Sequence, residues 1–340
     1  MLSLLLLSGL SLAGAGAAVP ADGPQIVSVR RIWDLAPHNA FTDLVRFRDT
    51  WFCAFREGSG HIPGTDGRLR VLSSGDGETW QSAALLEEPG IDLRDAKLSV
   101  TPDARLMLLC DGSVYAADAA SKSSTKRLVT FQSRVFFSPD GRRWTAPQPV
   151  AAKDEWLWRV TWHKGKAYGV AYGKGEAKDW PAQLYAGSDG VHFERVARLA
   201  VPGRPNETTL RFLADDRMLA LVRREAGNGH AWIGVSPPPY TQWNWQDAGY
   251  GVGGPDFIVL PGGAMWAAGR LSLCDDKSHK DYRTVLARFG LTSYQPVLTL
   301  PSGGDTSYPG LVWHEGLLWM SYYSSHEGKP SIYLAKIRLP

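Results

Sequence analysis

"SGDGETW" (residues 74–80), "SPDGRRW" (138–144) and "GSDGVHF" (187–193) share one pattern: a small residue, then Asp-Gly, then an aromatic residue three positions after the glycine. This pattern is typical of a β-turn in which the Asp side chain accepts backbone N–H bonds and the glycine takes a positive φ. Asp76, Asp140 and Asp189 are 64 and 49 residues apart. Such spacing is the size of one blade in a repeat protein, so the turns predict a β-propeller.

Apolar strands recur in pairs around these turns, with one pair roughly every 45 to 60 residues. The first strands of the pairs are "FTDLVRF" (41–47), "DAKLSV" (95–100), "WRVTWH" (158–163), "TTLRFL" (208–213), "DFIVL" (256–260) and "YPGLVWH" (308–314). The second strands are "WFCAFRE" (51–57), "RLMLLCD" (105–111), "KAYGVAYG" (166–173), "RMLALVRRE" (217–225), "AMWAAGR" (264–270) and "LLWMSYYS" (317–324). Six pairs predict six blades. The last blade lacks an outer strand, which "QIVSVRRIWDL" (25–35) can supply, so we expect one domain over residues 25–340 whose ring is closed by an N-terminal strand.

Composition agrees with an all-β fold and restricts the function. The chain has 36 Gly, 22 Pro, 14 Trp, 12 Tyr and 11 Phe, which is typical of many short strands joined by tight turns. A net charge of +3 without a basic run argues against nucleic acid as a partner. No phosphate-binding loop, paired metal ligands or nucleophile elbow is present, so we expect no cofactor and no metal site.

The first residues predict export. "MLSLLLLSGLSLAGAGAAVPADG" (1–23) has an apolar core followed by the cleavage patterns Ala13-Gly14-Ala15 and Ala15-Gly16-Ala17. We interpret residues 1–18 as a signal peptide and expect a secreted or periplasmic protein without a membrane span after cleavage. An N-terminal anchor is the alternative. Cys53, Cys110 and Cys274 lie in or near apolar runs and are expected to be free thiols.

In a propeller, the start of each first strand and the end of each second strand lie on one face near the axis. The residues at these positions are mostly charged or phenolic, and several arginines among them favour an anionic ligand such as a carboxylate. This set comprises Asp43, Arg56, Glu57, His61, Arg94, Asp95, Trp158, Arg159, Asn206, Glu207, Arg223, Arg224, Asp256, Arg270, Asp305, Tyr308, Tyr323, His326 and Glu327.

Three features resemble the sialidase superfamily of six-bladed β-propellers. The Asp-Gly turns are similar to its Asp-box (BNR) repeats, in a variant with one residue fewer before the glycine. "NETTLRFLADDRMLALVRRE" (206–225) resembles the stretch of retaining exo-sialidases in which a Glu opens a strand and an Arg closes the next. "TSYPGLVWHEGLLWMSYY" (306–323) resembles the stretch that carries their tyrosine nucleophile.

The resemblance implies a role for four residues. Tyr308 would be the nucleophile, Glu207 the carboxylate that polarises it, and Arg223 and Arg270 two of three arginines that bind the substrate carboxylate. The chemistry fits, because an anionic nucleophile is repelled by the carboxylate on the anomeric carbon of a sialic acid and a neutral phenol is not. A free phenol is a poor nucleophile at neutral pH, so Glu207 and the arginines must activate it.

The N-terminal half departs from the family pattern. Thr42 stands where the family has the first arginine of the triad, so the third arginine is absent or is one of Arg56, Arg94 and Arg159. The acid/base aspartate of the family has no clear equivalent in "FREGSGHIPGTDGRLR" (55–70). His61 or Asp66 can take its place, and we favour His61, because an imidazole can donate and then accept a proton near neutral pH. The remaining ring positions expected to contact the ligand are Asp43, Asp95, Arg224, Tyr323 and His326.

The sequence therefore favours an enzyme: a glycoside hydrolase that releases terminal sialic acid or a related acidic nonulosonate by a retaining mechanism. Its partner would be a glycan with a terminal acidic sugar. Two alternatives stay open because the first-blade motif is lost: a hydrolase or lyase acting on another acidic sugar such as a uronate, and a glycan-binding propeller without catalysis.

Overall fold

The computed structural model describes residues 23–61, 66–116, 127–173, 180–272 and 281–340 of the chain. The predicted signal peptide (1–18) and Cys274 lie outside these residues. The described residues form 24 strands in six four-stranded antiparallel sheets and contain no helix. No described segment therefore forms a helix long and apolar enough to cross a membrane. The sheets are the blades of a β-propeller, which confirms the predicted fold class.

Strand β1 (Gln25–Trp33) precedes the first blade in the sequence but belongs to the last one. The other strands follow in order, from the inner to the outer edge of each blade. Blade 1 contains β2 (His38–Phe47), β3 (Thr50–Gly58), β4 (Arg68–Ser74) and β5 (Gln81–Leu86); blade 2 contains β6 (Asp92–Val100), β7 (Leu106–Ala116), β8 (Arg127–Ser138) and β9 (Gln148–Val150); blade 3 contains β10 (Glu155–His163), β11 (Lys166–Gly173), β12 (Ala182–Gly187) and β13 (Glu194–Leu199).

The second half of the chain repeats the arrangement, and β1 completes it by pairing antiparallel with the last strand. Both ends of the described chain thus lie in one blade, which closes the ring as predicted. Blade 4 contains β14 (Pro205–Phe212), β15 (Met218–Arg224), β16 (Trp232–Ser236) and β17 (Asn244–Asp247); blade 5 contains β18 (Gly253–Val259), β19 (Met265–Ser272), β20 (Tyr282–Phe289) and β21 (Tyr294–Thr299); blade 6 contains β22 (Thr306–His314), β23 (Leu317–Ser324), β24 (Ser331–Arg338) and β1.

The Asp-Gly turns join the third and fourth strands of blades 1, 2 and 3. In the first of them, Asp76 Oδ1 accepts the backbone N–H groups of Glu78 and Thr79 at 2.8 Å, and Gly77 has a φ of 72°. A side chain on Gly77 would collide with the Trp319 ring, 2.4 Å from its Cβ position. The turn of blade 1 therefore has the predicted Asp hydrogen bonds and positive glycine φ, and it packs tightly against blade 6.

Every inner strand has a bulge at the same place. The register against the second strand slips so that two inner-strand residues oppose one partner residue. We call these the first and second bulge positions. They are occupied by Phe41 and Thr42 in blade 1, Asp95 and Ala96 in blade 2, Trp158 and Arg159 in blade 3, Asn206 and Glu207 in blade 4, Gly254 and Pro255 in blade 5, and Tyr308 and Pro309 in blade 6.

A largely buried network of ions joins the inner strands at the bulges and beyond them. Arg159 Nη1 lies 3.0 Å from both carboxylate oxygens of Asp43, and its Nη2 lies 3.6 Å from Asp256 Oδ2. Asp256 also accepts a hydrogen bond from Arg211 at 2.7 Å. We call these four residues, together with the neighbouring Lys97, the axial plug. Because its ions are paired across blades, the plug is a polar floor beneath the face where the ring of predicted site residues opens.

Candidate active site

The bulges of blades 4 and 6 bring Tyr308 and Glu207 together. Tyr308 Oη donates a hydrogen bond of 2.6 Å to Glu207 Oε1, within the distance that a nucleophile and its base require. Both residues are buried. Tyr308 has a φ of 54°, a conformation that is rare for an aromatic residue and that concentrates at functional sites. The bulge thus turns the phenol toward the neighbouring blades.

Arg223 and Gly254 hold the carboxylate of this pair in place. Arg223 Nη1 lies 2.7 Å from Glu207 Oε1 and 3.4 Å from Tyr308 Oη. The backbone N–H of Gly254 donates to the other carboxylate oxygen at 2.8 Å. A side chain on Gly254 would begin 2.7 Å from Tyr308 Cδ2, so only glycine leaves space for the ring. Arg223 also contacts Glu225, with Nη2 2.5 Å from Oε1.

The protonation states of the pair follow from these contacts. Burial raises the pKa of Glu207, but the Arg223 guanidinium and the hydrogen bonds to the carboxylate outweigh burial, so the net pKa is lowered. Burial and the adjacent Glu207 charge raise the pKa of Tyr308 well above its ordinary value. At neutral pH the proton therefore lies on the phenol and the carboxylate is free to accept it.

A second cluster surrounds Asp305, between blades 6 and 1. His38 Nε2 and His61 Nδ1 lie 2.9 and 2.7 Å from Asp305 Oδ2, and Tyr323 Oη donates to Oδ1 at 2.7 Å. Burial acts to raise the pKa of Asp305, but the three contacts stabilise its anion and the net pKa is strongly lowered. His38 is buried, whereas the His61 side chain is 41% exposed. Asp305 thus fixes the ring of His61 through Nδ1 and leaves Nε2 for another partner.

The Asp305 cluster is also the place where a metal could be held. The ligand atoms of His38, His61 and Asp305 lie within 4.8 Å of one another, the only such His/Cys/Asp/Glu group in the part of the chain that the structure describes. Two short hydrogen bonds to one carboxylate oxygen account for this proximity without an ion. We therefore interpret the cluster as hydrogen-bonded.

Asp95 and Lys97 come from the bulge of blade 2. Asp95 has a φ of 57° and is buried, and burial raises the pKa of its carboxyl to about 6. Lys97 is buried with its Nζ 4.7 Å from the centroid of the Trp158 ring and 5.5 Å from that of the Tyr308 ring. Asp95 therefore adds a carboxyl to the candidate site, and Lys97 adds a cation next to the Tyr308 ring.

The predicted arginines divide into two groups. Arg223 and Arg270 are near the tyrosine: Arg270 stacks over the Tyr282 ring at 4.7 Å, acts electrostatically on Tyr308 and has no ion-pair partner among the described residues. The other four bind partners within the protein. Arg56 is paired with Asp92, Arg94 with Ser113 and Asp92, Arg159 with Asp43 and Asp256, and Arg224 with Asn228 and the carbonyls of Pro202 and His230.

The other predicted positions are also accounted for. Asp43 lies in the axial plug, and His326 Nδ1 lies 2.9 Å from Ser324 Oγ at the rim of blade 6. Thr42 is fully buried and donates a hydrogen bond of 2.7 Å to the backbone carbonyl of Tyr308. Asp66 accepts hydrogen bonds from Ser59. Thr42, which stands where the sialidase pattern has an arginine, thus supports the backbone of Tyr308.

Sequence reasoning did not single out Lys97, Glu225, Gly254 or His38. Lys97 stands two residues after Asp95 in "DAKLSV", and Glu225 directly follows the two arginines of "VRRE". Only the positions of the bulges reveal that Lys97 and Gly254 lie beside Tyr308. A cavity of about 790 Å³ over blade 1, lined by residues that include Leu35, Glu57 and Arg68, does not contain the tyrosine. We place the candidate site at Tyr308 because the phenol and the Glu207 carboxylate are hydrogen-bonded there.

Comparison with known proteins supports the fold. No family model and no curated protein matches the sequence. Among solved structures, a protein of unknown function from Dyadobacter fermentans has a TM-score of 0.79 at 17% identity, over 95% of this chain and all of that one.

Sialidases follow in the same comparison. Trypanosoma rangeli sialidase in complex with the inhibitor DANA has a TM-score of 0.67 at 12% sequence identity over 88% of this chain. The NanB sialidase of Streptococcus pneumoniae has a TM-score of 0.64 at 10% sequence identity over 93% of this chain. The alignment spans 55% of the trypanosomal protein and 71% of NanB. The chain thus has a sialidase-like propeller fold.

Proposed function

We propose that this sialidase-like propeller is an exo-acting glycoside hydrolase that releases a terminal sialic acid or related acidic nonulosonate with retention of configuration. The observation that carries the proposal is the 2.6 Å hydrogen bond from Tyr308 to Glu207, with Arg223 bound to the same carboxylate oxygen. A neutral phenol beside an ionised base suits attack on an anomeric carbon that bears a carboxylate. The sialidase-like fold supports the same reading at the level of architecture.

In the first step, Tyr308 Oη attacks the anomeric carbon and passes its proton to Glu207. The bond from that carbon to the leaving oxygen breaks, and the leaving oxygen takes a proton from protonated His61. Asp305 stabilises the imidazolium and orients it, since it is bound to Nδ1 at 2.7 Å. The product of this step is a tyrosyl-linked sugar and a free alcohol.

In the second step, neutral His61 accepts a proton from water, and the water oxygen attacks the same carbon. The bond to Tyr308 breaks and the phenolic oxygen recovers its proton from Glu207. Two inversions at one carbon give net retention, and every group returns to its starting state.

Substrate binding is assigned to groups that face the tyrosine. Arg270 would bind the substrate carboxylate, and Arg223 would share its fork between that carboxylate and its protein partners. Asp95 would accept or donate a hydrogen bond to a sugar hydroxyl, because its pKa of about 6 allows either form near neutral pH. We assign no substrate contact to Arg56, Arg94, Arg159 or Arg224, since each is bound within the protein. Two arginines rather than three would thus hold the acid.

The test is a panel of aryl glycosides of sialic acids, related nonulosonates and uronic acids, assayed with the wild type and Tyr308→Phe. We expect turnover of a nonulosonate, a first-formed product with retained configuration by NMR, and loss of about 10³-fold or more in kcat for Tyr308→Phe. Equal activity in the variant would exclude a tyrosyl intermediate whatever the substrate. Turnover of uronates alone would assign the site to another acidic sugar, and binding without turnover would assign a lectin-like role. Activity lost in EDTA and restored by Zn²⁺ would replace His61 as acid/base by a metal at the Asp305 cluster.

A further inference from the structure

Lys97 is a buried cation behind the ring of Tyr308, and neither step above uses it. It is 2% exposed, and its Nζ donates to the backbone carbonyl of Thr42 at 3.3 Å. Its ammonium lies within cation–π distance of the Trp158 and Tyr308 rings, at 4.7 and 5.5 Å from their centroids. Thr42 also binds the carbonyl of Tyr308 through its hydroxyl. One residue thus positions both the cation and the backbone of the nucleophile.

Charged groups of both signs surround Lys97 below the tyrosine. The axial plug contains three cations, Lys97, Arg159 and Arg211, and two carboxylates, Asp43 and Asp256. Burial lowers the pKa of Lys97 to about 8, and Arg159 adds to this effect, while nearby carboxylates oppose it. At neutral pH Lys97 is therefore mostly charged. The charged and titratable groups that face it are Asp43 on β2, Asp95 on β6, Arg159 on β10, Glu207 on β14 and Tyr308 on β22.

We propose that Lys97 is a positioning residue whose ammonium stabilises the negative charge that develops on Tyr308 as its proton moves to Glu207. This inference rests on the proposed function. When the phenol loses its proton, partial negative charge spreads into the ring before the bond to the anomeric carbon is complete. The same charge returns when the phenolic oxygen of Tyr308 leaves the anomeric carbon in the second step. A fixed, buried cation stabilises both transition states without reorganising.

Lys97 also supplies a cation in a blade next to the one in which Thr42 replaces the arginine of the sialidase pattern. Position 42, where the family has an arginine, holds the fully buried Thr42, and the charge next to the Tyr308 ring comes from Lys97. The cation therefore acts on the nucleophile and not on the substrate carboxylate. If so, its removal affects the chemical step and leaves substrate binding nearly unchanged.

The alternative is that Lys97 only fills space at the axis. Lys97→Met keeps its length without the charge, Lys97→Gln keeps a donor for Thr42 without the charge, and Lys97→Arg keeps the charge. Under the proposal, Lys97→Met and Lys97→Gln each lower kcat by about 10- to 100-fold with KM within about threefold, and Lys97→Arg retains most of the activity.

The pH profile separates electrostatics from packing. Removing a cation raises the pKa of the Glu207 carboxyl. The acidic limb of the kcat/KM profile should therefore move to higher pH in Lys97→Met and Lys97→Gln and stay in place in Lys97→Arg. Wild-type kcat, or a normal profile in a folded Met or Gln variant, would overturn the proposal. Tyr308→Phe is measured beside them: if it is inactive while Lys97→Met is normal, only this inference fails. If Tyr308→Phe is fully active, the proposed function itself fails.

Discussion

Blades 1 and 6 hold an aromatic ring at the same point of the fold, and only one of these rings has a base. Phe41 and Tyr308 occupy the first bulge position of their blades, with φ values of 63° and 54°. Both are buried, and their centroids are 4.9 Å apart. The scaffold therefore repeats the strained backbone without repeating the chemistry, which depends on what the neighbouring blades supply.

The neighbours differ in two ways. Two blades before Tyr308, the second bulge position is Glu207, which binds the phenol; two blades before Phe41, the same position is Pro255. One blade before Tyr308, the first bulge position is Gly254, which leaves space for the ring. One blade before Phe41, that position is Tyr308 itself. Removing Glu207 or Gly254 should thus make blade 6 resemble blade 1.

The largest effect is expected for Glu207→Gln, which leaves Tyr308 without a base as Phe41 is. We expect kcat/KM to fall by about 10³-fold, because the amide cannot accept the phenolic proton. Steady-state assays on the best substrate of the panel measure this. The matched control is Glu225→Gln, which alters the other carboxylate on Arg223 and is expected to cost less than about 10-fold. Equal losses in both variants would mean that the two carboxylates act by holding Arg223 and that Glu207 is not the base.

Gly254→Ala tests the space beside the ring. A methyl group 2.7 Å from Tyr308 Cδ2 must displace the ring, and a misplacement of about 1 Å costs roughly 10²-fold in kcat. Gly90→Ala is the control, because Gly90 also has a positive φ, 77°, but its Cβ position meets no atom within 4 Å. Both variants should lose thermal stability from the strained backbone, and Gly254→Ala should lose more, because its methyl group also collides with the ring. Unchanged activity in a folded Gly254→Ala would show that Tyr308 does not need its observed position.

The sequence was sufficient for the repeat and insufficient for the bulges. The Asp-Gly turns and apolar pairs predicted six blades and the closing strand, because these features are local and periodic. The sequence also predicted that Tyr308 lies near Glu207, and the structure has Tyr308 Oη 2.6 Å from Glu207 Oε1. The arginines were harder, because pairing such as that of Arg159 with Asp43 joins residues 116 positions apart. Lys97 and Gly254 went unnoticed because a one-residue change of register decides which side chain faces the axis.

Asp305→Asn removes one polar contact between the two blades, since Asp305 in blade 6 binds His38 and His61 from blade 1. The amide cannot stabilise an imidazolium, so we expect about a 10²-fold loss on a substrate with an alcohol leaving group. An aryl glycoside whose leaving group is an acidic phenol needs less proton donation. The activity of Asp305→Asn on such a substrate should therefore fall much less. Asp66→Asn, which alters the other acid/base candidate, is the control. If Asp66→Asn shows the leaving-group dependence and Asp305→Asn does not, His61 is not the acid.

The smallest effect is expected for Phe41→Tyr, which gives blade 1 the hydroxyl that blade 6 has. Added to Tyr308→Phe, it should raise kcat by less than about threefold over that of Tyr308→Phe alone. The reason is that Pro255 stands at the bulge position that corresponds to Glu207, so a tyrosine at position 41 would have no carboxylate. Mass spectrometry of the protein after reaction with a fluorinated nonulosonate should find no sugar on residue 41, whereas the wild type is labelled on Tyr308. A labelled Tyr at position 41 would mean that the strained bulge alone activates a phenol. The carboxylate two blades away would then be dispensable, and the distinction between the two blades would lie only in which ring carries a hydroxyl.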